Sequence, residues 1–292
     1  MLTRTGNFPV GFRPGWAAWQ KDLPALTQWA KNAGFEAIDL ETLQAEDLNI
    51  LRAAGLKLGT VDLIDFGQLM QNEAQARQKL IAQNVAYVKQ AAAWGAKTFF
   101  ACMIPGDPGK KRAENYALAV ESFAPIAAAC AAEGASLAIE GWPGPAPYYP
   151  ALCCTPETCR MLIRDLGPGM GLNYDPSHLI RLGVDHIRFL REFLPHIRHV
   201  HAKDTELLPE AAYEYGMYQG SPQAQPVRFG ELVWRYTIPG SGQTRWRAAF
   251  KILREGGYRG AVSVELEDAD FNGTPEGEKA GFEHSLAFLR GA

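Results

Sequence analysis

The chain has 292 residues, enough for one large domain or two small ones, and its balance of 47% hydrophobic and 21% charged residues, with mean hydropathy -0.17, suits a protein that buries a sizeable core. A formal charge of -3 and a pI near 6.1 provide no basic field to gather phosphates, which argues against a nucleic-acid partner. No segment reaches the roughly 20 apolar residues of a membrane helix, and Met1 to Trp19 carries no secretory pattern, so the expectation is a cytoplasmic protein without a membrane partner.

Short apolar runs alternate with longer helical patterns along the whole chain, as in successive βαβ units on a parallel sheet. In chain order the predicted strands are Pro9–Phe12, Ala37–Leu40, Lys57–Leu63, Thr98–Ile104, Ser136–Glu140, Gly171–Asp175, Ile197–Lys203 and Ala261–Leu266. The predicted helices lie near Leu23–Asn32, Ala45–Ala54, Asn72–Trp94, Ala113–Glu133, Pro156–Leu166, His186–Phe193, Arg245–Glu255 and Glu276–Leu289. Gly34, Gly55, Gly95, Gly134 and Gly167 follow helices and precede strands, the place of a C-cap glycine. Eight such repeats, with no linker or composition shift, fit a single α/β domain over residues 1–292: a closed (β/α)₈ TIM barrel. An open doubly wound sheet would bury both strand faces and show more continuous apolar runs. One connection stands out, residues 205–244 between the seventh strand and its helix. It carries Tyr213, Tyr215, Tyr218, Phe229, Trp234 and Tyr236, and reads as an aromatic lid or a contact between copies of the chain.

The late strands alternate. Leu137 and Ile139 oppose Ser136, Ala138 and Glu140; Leu172 and Tyr174 oppose Gly171, Asn173 and Asp175; Val262, Val264 and Leu266 oppose Ser263, Glu265 and Glu267. Side chains alternate along a strand, so the greasy face meets the helices and the small or polar face points into the barrel. Glu140, Asp175 and Glu265 then converge with His201 at the C-terminal ends of their strands, where barrels of this kind place their sites. Three carboxylates together repel unless a cation neutralises them. Oxygen donors with one imidazole suit one divalent metal ion, Mn²⁺ first, with Mg²⁺, Co²⁺ or Zn²⁺ as alternatives. Taken singly, each residue has a plainer reading, as an ion-pair partner or a packed histidine.

The segments Leu137–Pro143 (LAIEGWP), Asn173–His178 (NYDPSH), His199–Asp204 (HVHAKD) and Ser263–Asp268 (SVELED) resemble the four metal-site motifs of the xylose-isomerase-like sugar isomerase/epimerase superfamily, closest in pattern to ketose 3-epimerases. The resemblance is weak over the first hundred residues and strong from Ser136 onward. It implies that Glu140, Asp175, His201 and Glu265 hold the metal, that Glu140 and Glu265 also exchange the substrate proton from opposite faces, and that His178 binds substrate oxygens. The sequence departs from that pattern at two places. Trp142 stands where relatives often have histidine, offering a flat apolar wall for a sugar ring. The run Gly240-Ser241-Gly242-Gln243-Thr244-Arg245-Trp246 lacks two acids that relatives often carry. Abasic-site endonucleases of the same superfamily need further histidines; none precedes His178 here, which argues against a three-metal nuclease.

Weaker signals complete the expectation. Lys203 faces inward and contacts substrate or a ligand carboxylate, or else pairs with Asp39 or Glu41. Arg235 binds a substrate oxygen or forms a structural ion pair. Pro239–Gly242 reads as a small anion cradle or a plain turn before a helix. His199 reads as a hydrogen-bonded core residue, and His186, His196 and His284 as surface residues. The five cysteines lack CxxC spacing and read as reduced thiols rather than a soft-metal site. The function expected from all this is a metal-dependent isomerase or epimerase of a small keto sugar, compatible with a homo-oligomer. The rivals are a dehydratase of a keto-inositol or related keto acid, and a non-catalytic sugar-binding barrel.

Overall fold

The computed structural model describes residues 2–144 and 150–292. Eight parallel strands close into a barrel: β1 (Val10–Arg13), β2 (Ala37–Leu40), β3 (Lys57–Asp62), β4 (Thr98–Cys102), β5 (Ser136–Glu140), β6 (Leu172–Tyr174), β7 (Ile197–Ala202) and β10 (Val262–Glu265). They neighbour one another in chain order, and β10 pairs with β7 and β1 to close the ring. Outside them lie α1 (Leu23–Ala33), α2 (Asp47–Ala54), α3 (Ala74–Trp94), α4 (Arg112–Ala132), α5 (Pro156–Leu166), α6 (Pro176–Arg181), α7 (His186–Phe193), α8 (Pro209–Tyr215), α9 (Trp246–Glu255) and α10 (Pro275–Gly291). Each predicted barrel strand and its helix is present, with ends within two residues of expectation. No helix of the described residues is long and apolar enough to cross a membrane.

Local chemistry sets the boundaries. Asp22 accepts a hydrogen bond from the Ala25 N–H to open α1, and Gly34 closes it at φ +96°, where a side chain would be strained. Asp185 receives the Ile187 and Arg188 N–H groups at the start of α7. Leu137, Ile139, Leu172, Tyr174, Val262 and Val264 join the main apolar core, so the alternation read from the sequence sends the other face of β5, β6 and β10 inward. Space inside is tight: a Cβ on Gly59 would stand 1.9 Å from Asp39 Oδ1, so glycine there is what lets that carboxylate turn across β3.

The 205–244 connection, read from the sequence as a long aromatic loop forming a lid or a contact between copies, contains regular structure of its own. Asp204–Leu207 (β8) pairs antiparallel with Trp234–Thr237 (β9), and α8 lies between them. Val233, Trp234 and Tyr236 form a small second core with Leu207, Ala211 and Phe229. Tyr213 and Tyr218 project into solvent. The base of this hairpin is tied by one side chain. The buried Asp204 carboxylate accepts from the N–H groups of Thr205, Gly240 and Thr244, the Thr244 hydroxyl and the Trp246 indole. The expected anion cradle at Pro239–Gly242 is therefore filled by the chain's own carboxylate. Gly242 is needed for it, since a Cβ there would lie 2.4 Å from Asp204 Oδ1.

Histidine placement needs one correction. His186 is buried, not at the surface: its Nε2 accepts the Arg245 N–H at 3.2 Å across the α7–α9 junction. His199 is in the core, with Nε2 3.0 Å from Asp39 Oδ2. His284 is exposed and His196 half-buried. All five cysteines are buried free thiols.

Candidate metal centre

Glu140 ends β5 with almost no exposure, and both its oxygens are claimed. Oε2 accepts from Asn173 Nδ2 at 2.6 Å and faces His201 Nδ1 at 2.7 Å; Oε1 lies 3.2 Å from His178 Nε2 and 3.9 Å from the Cys102 thiol. Burial alone pushes a carboxyl pKa up, but His201 and His178 outweigh it and hold Glu140 well below the usual range.

Asp175 follows β6 and caps α6, its Oδ1 accepting the Ser177 N–H at 2.8 Å. Its other oxygen, Oδ2, is buried without a hydrogen bond, with His178 Nε2 at 3.3 Å and Lys203 Nζ at 3.4 Å. Here burial dominates and pushes the pKa up. Glu265 completes the set from β10. Its Oε2 lies 2.6 Å from Lys203 Nζ and 3.5 Å from His201 Nδ1, and its Oε1 is 3.5 Å from Arg13 Nε. Burial pushes this carboxyl up as well, but the Lys203 ammonium prevails and holds it well below the usual range.

Glu140, Asp175, His178 and Glu265 each offer a donor atom, and these atoms lie within 4.8 Å of one another. His201 joins from the side, against Glu140 and Glu265 through Nδ1, while its Nε2 faces Asp39 Oδ2 at 3.6 Å. Three carboxylates, two buried and one half-buried, one of the buried pair with an orphaned oxygen, form a donor set that fits a hard or borderline divalent cation. This is a candidate metal site.

Lys203 settles between its expected alternatives. Its ammonium contacts Glu265, Asp175 and, at 2.9 Å, Glu267. Asp39 is committed to His199, and Glu41 pairs with Lys21 at the surface, so neither is its partner. Arg235 is placed outside the cluster, on the hairpin, in ion pairs with Glu206 at 2.7 Å and Asp270 at 2.9 Å. Trp142 is half-buried at the end of β5, its carbonyl facing the Cys154 thiol.

A cleft of about 270 Å³ opens beside Glu265, walled by Arg13, Trp16, Glu267, Arg228, Phe229 and Glu278 among others; neither Trp142 nor Arg235 is among its described walls. Glu265 is the ligand candidate that faces it, with 17% of its side chain exposed against 4% for Glu140.

Sequence reasoning missed several of these groups. Glu267 and Asn173 lie on the inward faces already recognised in their strands, and Arg13 alternates with Gly11 in the same way, so a signal existed for all three. Tyr236 and Arg181 gave none, because their roles depend on how the hairpin lies over the barrel.

A family model described as "Xylose isomerase-like TIM barrel" matches residues 27–292. An uncharacterized protein, YfiH, of Bacillus subtilis (strain 168) is 36% identical over 119 residues, 40% of this chain and 37% of that protein. An inosose dehydratase of Clostridium tetani is 33% identical over 104 residues, 36% of this chain and 33% of that protein. The matched stretch thus spans little more than a third of the length of these curated relatives. The solved structure of 3-keto-D-glucoside 4-epimerase YcjR from E. coli superposes with a TM-score of 0.70 over 97% of this chain and 99% of that one, at 16% identity, a likeness of fold.

Proposed function

The chain belongs to the xylose isomerase-like TIM barrel family, and from that premise we propose that it is a metal-dependent isomerase or epimerase of a small keto sugar, acting on the C–H bond beside the ketone. The observation that carries this reading is the cluster itself: three carboxylates packed with two imidazoles and a lysine, of which Glu265 faces a cleft. The superposition with a keto-sugar epimerase supports it.

Glu140, Asp175, His201 and Glu265 would hold a divalent ion, which would supply the Lewis acidity that makes such a C–H bond labile. The remaining work falls to the chain. Lys203 and Arg13 keep Glu265 ionised, so it can take a proton from carbon at the cleft wall. Glu140 takes the complementary place from the inner side: it would first take up a proton from water and return it to the opposite face, while Glu265 releases its own proton to water. His178 donates to a substrate oxygen, and Trp16 at the cleft lip offers a flat apolar surface to a sugar ring.

A second reading is favoured by the likeness to inosose dehydratase. The same proton abstraction followed by loss of the neighbouring hydroxide is a dehydration, and the Lys203–Glu267 pair beside Glu265 can protonate the departing hydroxide to water.

Incubating Mn²⁺-loaded protein with keto sugars and inositol ketones in D₂O separates the readings. Solvent deuterium on an inverted carbon marks the epimerase; loss of water marks the dehydratase; a product without deuterium marks hydride transfer, as in aldose–ketose interconversion. Glu265→Gln should keep an oxygen for the ion yet lower turnover by at least about 10²-fold. Absence of exchange and of product across the panel, with the ion bound, would overturn both readings.

A further inference from the structure

The hairpin reaches the centre through one phenol. Tyr236, on β9, has its hydroxyl 2.6 Å from Arg181 Nη1 and 2.6 Å from His178 Nδ1. A guanidinium has only donors, so the phenol oxygen accepts from Arg181. The phenol carries a single hydrogen, and among the described residues His178 Nδ1 is the one acceptor within reach of it. Burial raises the Tyr236 pKa, so that hydrogen stays in place. The hydroxyl therefore donates to Nδ1.

An imidazole that accepts at Nδ1 carries its own hydrogen on Nε2. That nitrogen faces two carboxylate oxygens, Glu140 Oε1 at 3.2 Å and Asp175 Oδ2 at 3.3 Å, both acceptors. Every partner of the ring agrees with one tautomer. Arg181 is itself fixed: it stacks over the Trp234 ring at 4.4 Å and donates to the Gly144 carbonyl.

We propose that Tyr236 and Arg181 are positioning residues that lock His178 in its Nε2–H form, so that His178 presents a hydrogen-bond donor to the site and His201 is the imidazole left to offer a lone pair. Distance alone would favour the opposite assignment, because His178 is the imidazole grouped most closely with the three carboxylates. The proposal rests on the reading of this cluster as a metal centre, and on the sugar-converting role only in making a substrate oxygen the eventual acceptor of that hydrogen.

The test uses Zn²⁺, which is diamagnetic, and no substrate, so the activity assigned above can fail while this proposal stands. In full-length protein with ¹⁵N-labelled histidine, long-range ¹H–¹⁵N spectra report which ring nitrogen is protonated for each of the six histidines. The His178 signals are those lost in His178→Gln, a variant expected to retain its Zn²⁺, in contrast to His201→Gln. In the native protein His178 should show a bare Nδ1 and a protonated Nε2. Tyr236→Phe should convert that pattern to a tautomer mixture with Zn²⁺ stoichiometry unchanged. Arg181→Lys, which keeps a cationic donor, should preserve it. A protonated Nδ1 in the native protein, or an unaltered His178 spectrum in Tyr236→Phe, overturns the proposal; if Tyr236→Phe does not fold, the native spectrum together with Arg181→Met decides. Loss of Zn²⁺ from His178→Gln with retention in His201→Gln would also overturn it.

Discussion

Strands β5, β6, β7 and β10 lead to Glu140, Asp175, His201 and Glu265, the donor groups of the candidate centre. Strands β1 to β4 carry Arg13, Asp39, Asp62 and Cys102, and three of these touch the donors: Arg13 and Cys102 from the adjoining strand, Asp39 from across the barrel. Arg13 lies 3.5 Å from Glu265, Asp39 3.6 Å from His201, and Cys102 3.9 Å from Glu140. Asp62 in turn grips Arg13 with two bonds of 2.7 and 2.6 Å. The late half of the barrel supplies lone pairs, and the early half aims them. A donor set of this kind is only as good as the groups that hold its orientation, so substitutions in the two halves should fail differently.

The largest effect is expected in the late half. Asp175→Ala and His201→Ala should each bring metal content, measured by elemental analysis after dialysis, from about one divalent ion per chain to nearly none, because each removes a buried donor outright. Full occupancy in both variants would erase the distinction. In the early half, Asp39→Asn should leave the barrel folded and the ion bound, but with affinity lower by about 10- to 100-fold, the usual consequence of losing an orienting partner. An affinity unchanged by titration calorimetry would mean that Asp39 serves only the core.

A pH series probes a contact inside the late half, between β7 and β5. The 2.7 Å approach of His201 Nδ1 to Glu140 Oε2 needs a hydrogen between them. Burial opposes a charge on His201, yet Glu265 and Glu140 outweigh it and raise its pKa well above the ordinary value. A raised folded-state pKa contributes stability that is complete below the unfolded value, near 6.5, and is lost as pH climbs toward the folded one. A metal ion can take that lone pair only after the proton leaves. From about pH 6.5 upward, then, the metal-free protein should lose Tm while its affinity for Zn²⁺ rises. Slopes of the same sign would show that proton and ion do not compete there. The smallest effect is expected outside both halves: Arg235→Ala should cost less than about 1 kcal/mol by denaturant unfolding, as part-exposed ion pairs do.

The barrel was legible in the sequence because each strand repeats one simple rule, and Glu140, Asp175, Glu265 and Glu267 could be placed on an inward face by that rule alone. His186 was misplaced because a polar residue at a helix start looks solvent-facing until the neighbouring helix end is known to need an acceptor. Asp204 could be seen as part of a motif but not as the filling of the Pro239–Gly242 turn, since the two are brought together by strand pairing far along the chain. Tyr236 was counted only among the aromatics of a long loop. An antiparallel hairpin laid over a parallel barrel breaks the pattern that made everything else readable, and the contacts it makes are invisible to periodicity.

The five donors gathered on Asp204 have a mechanical consequence. They tie the root of the hairpin, the end that carries Tyr236, to the segment leading into α9. Its far portion, residues 216–232, borders the cleft through Arg228 and Phe229, and Phe229 is tied back to β9 by the Tyr236 N–H. One excursion thus serves two places: its tethered root carries Tyr236 to His178, and its outer stretch brings Arg228 and Phe229 to the cleft wall.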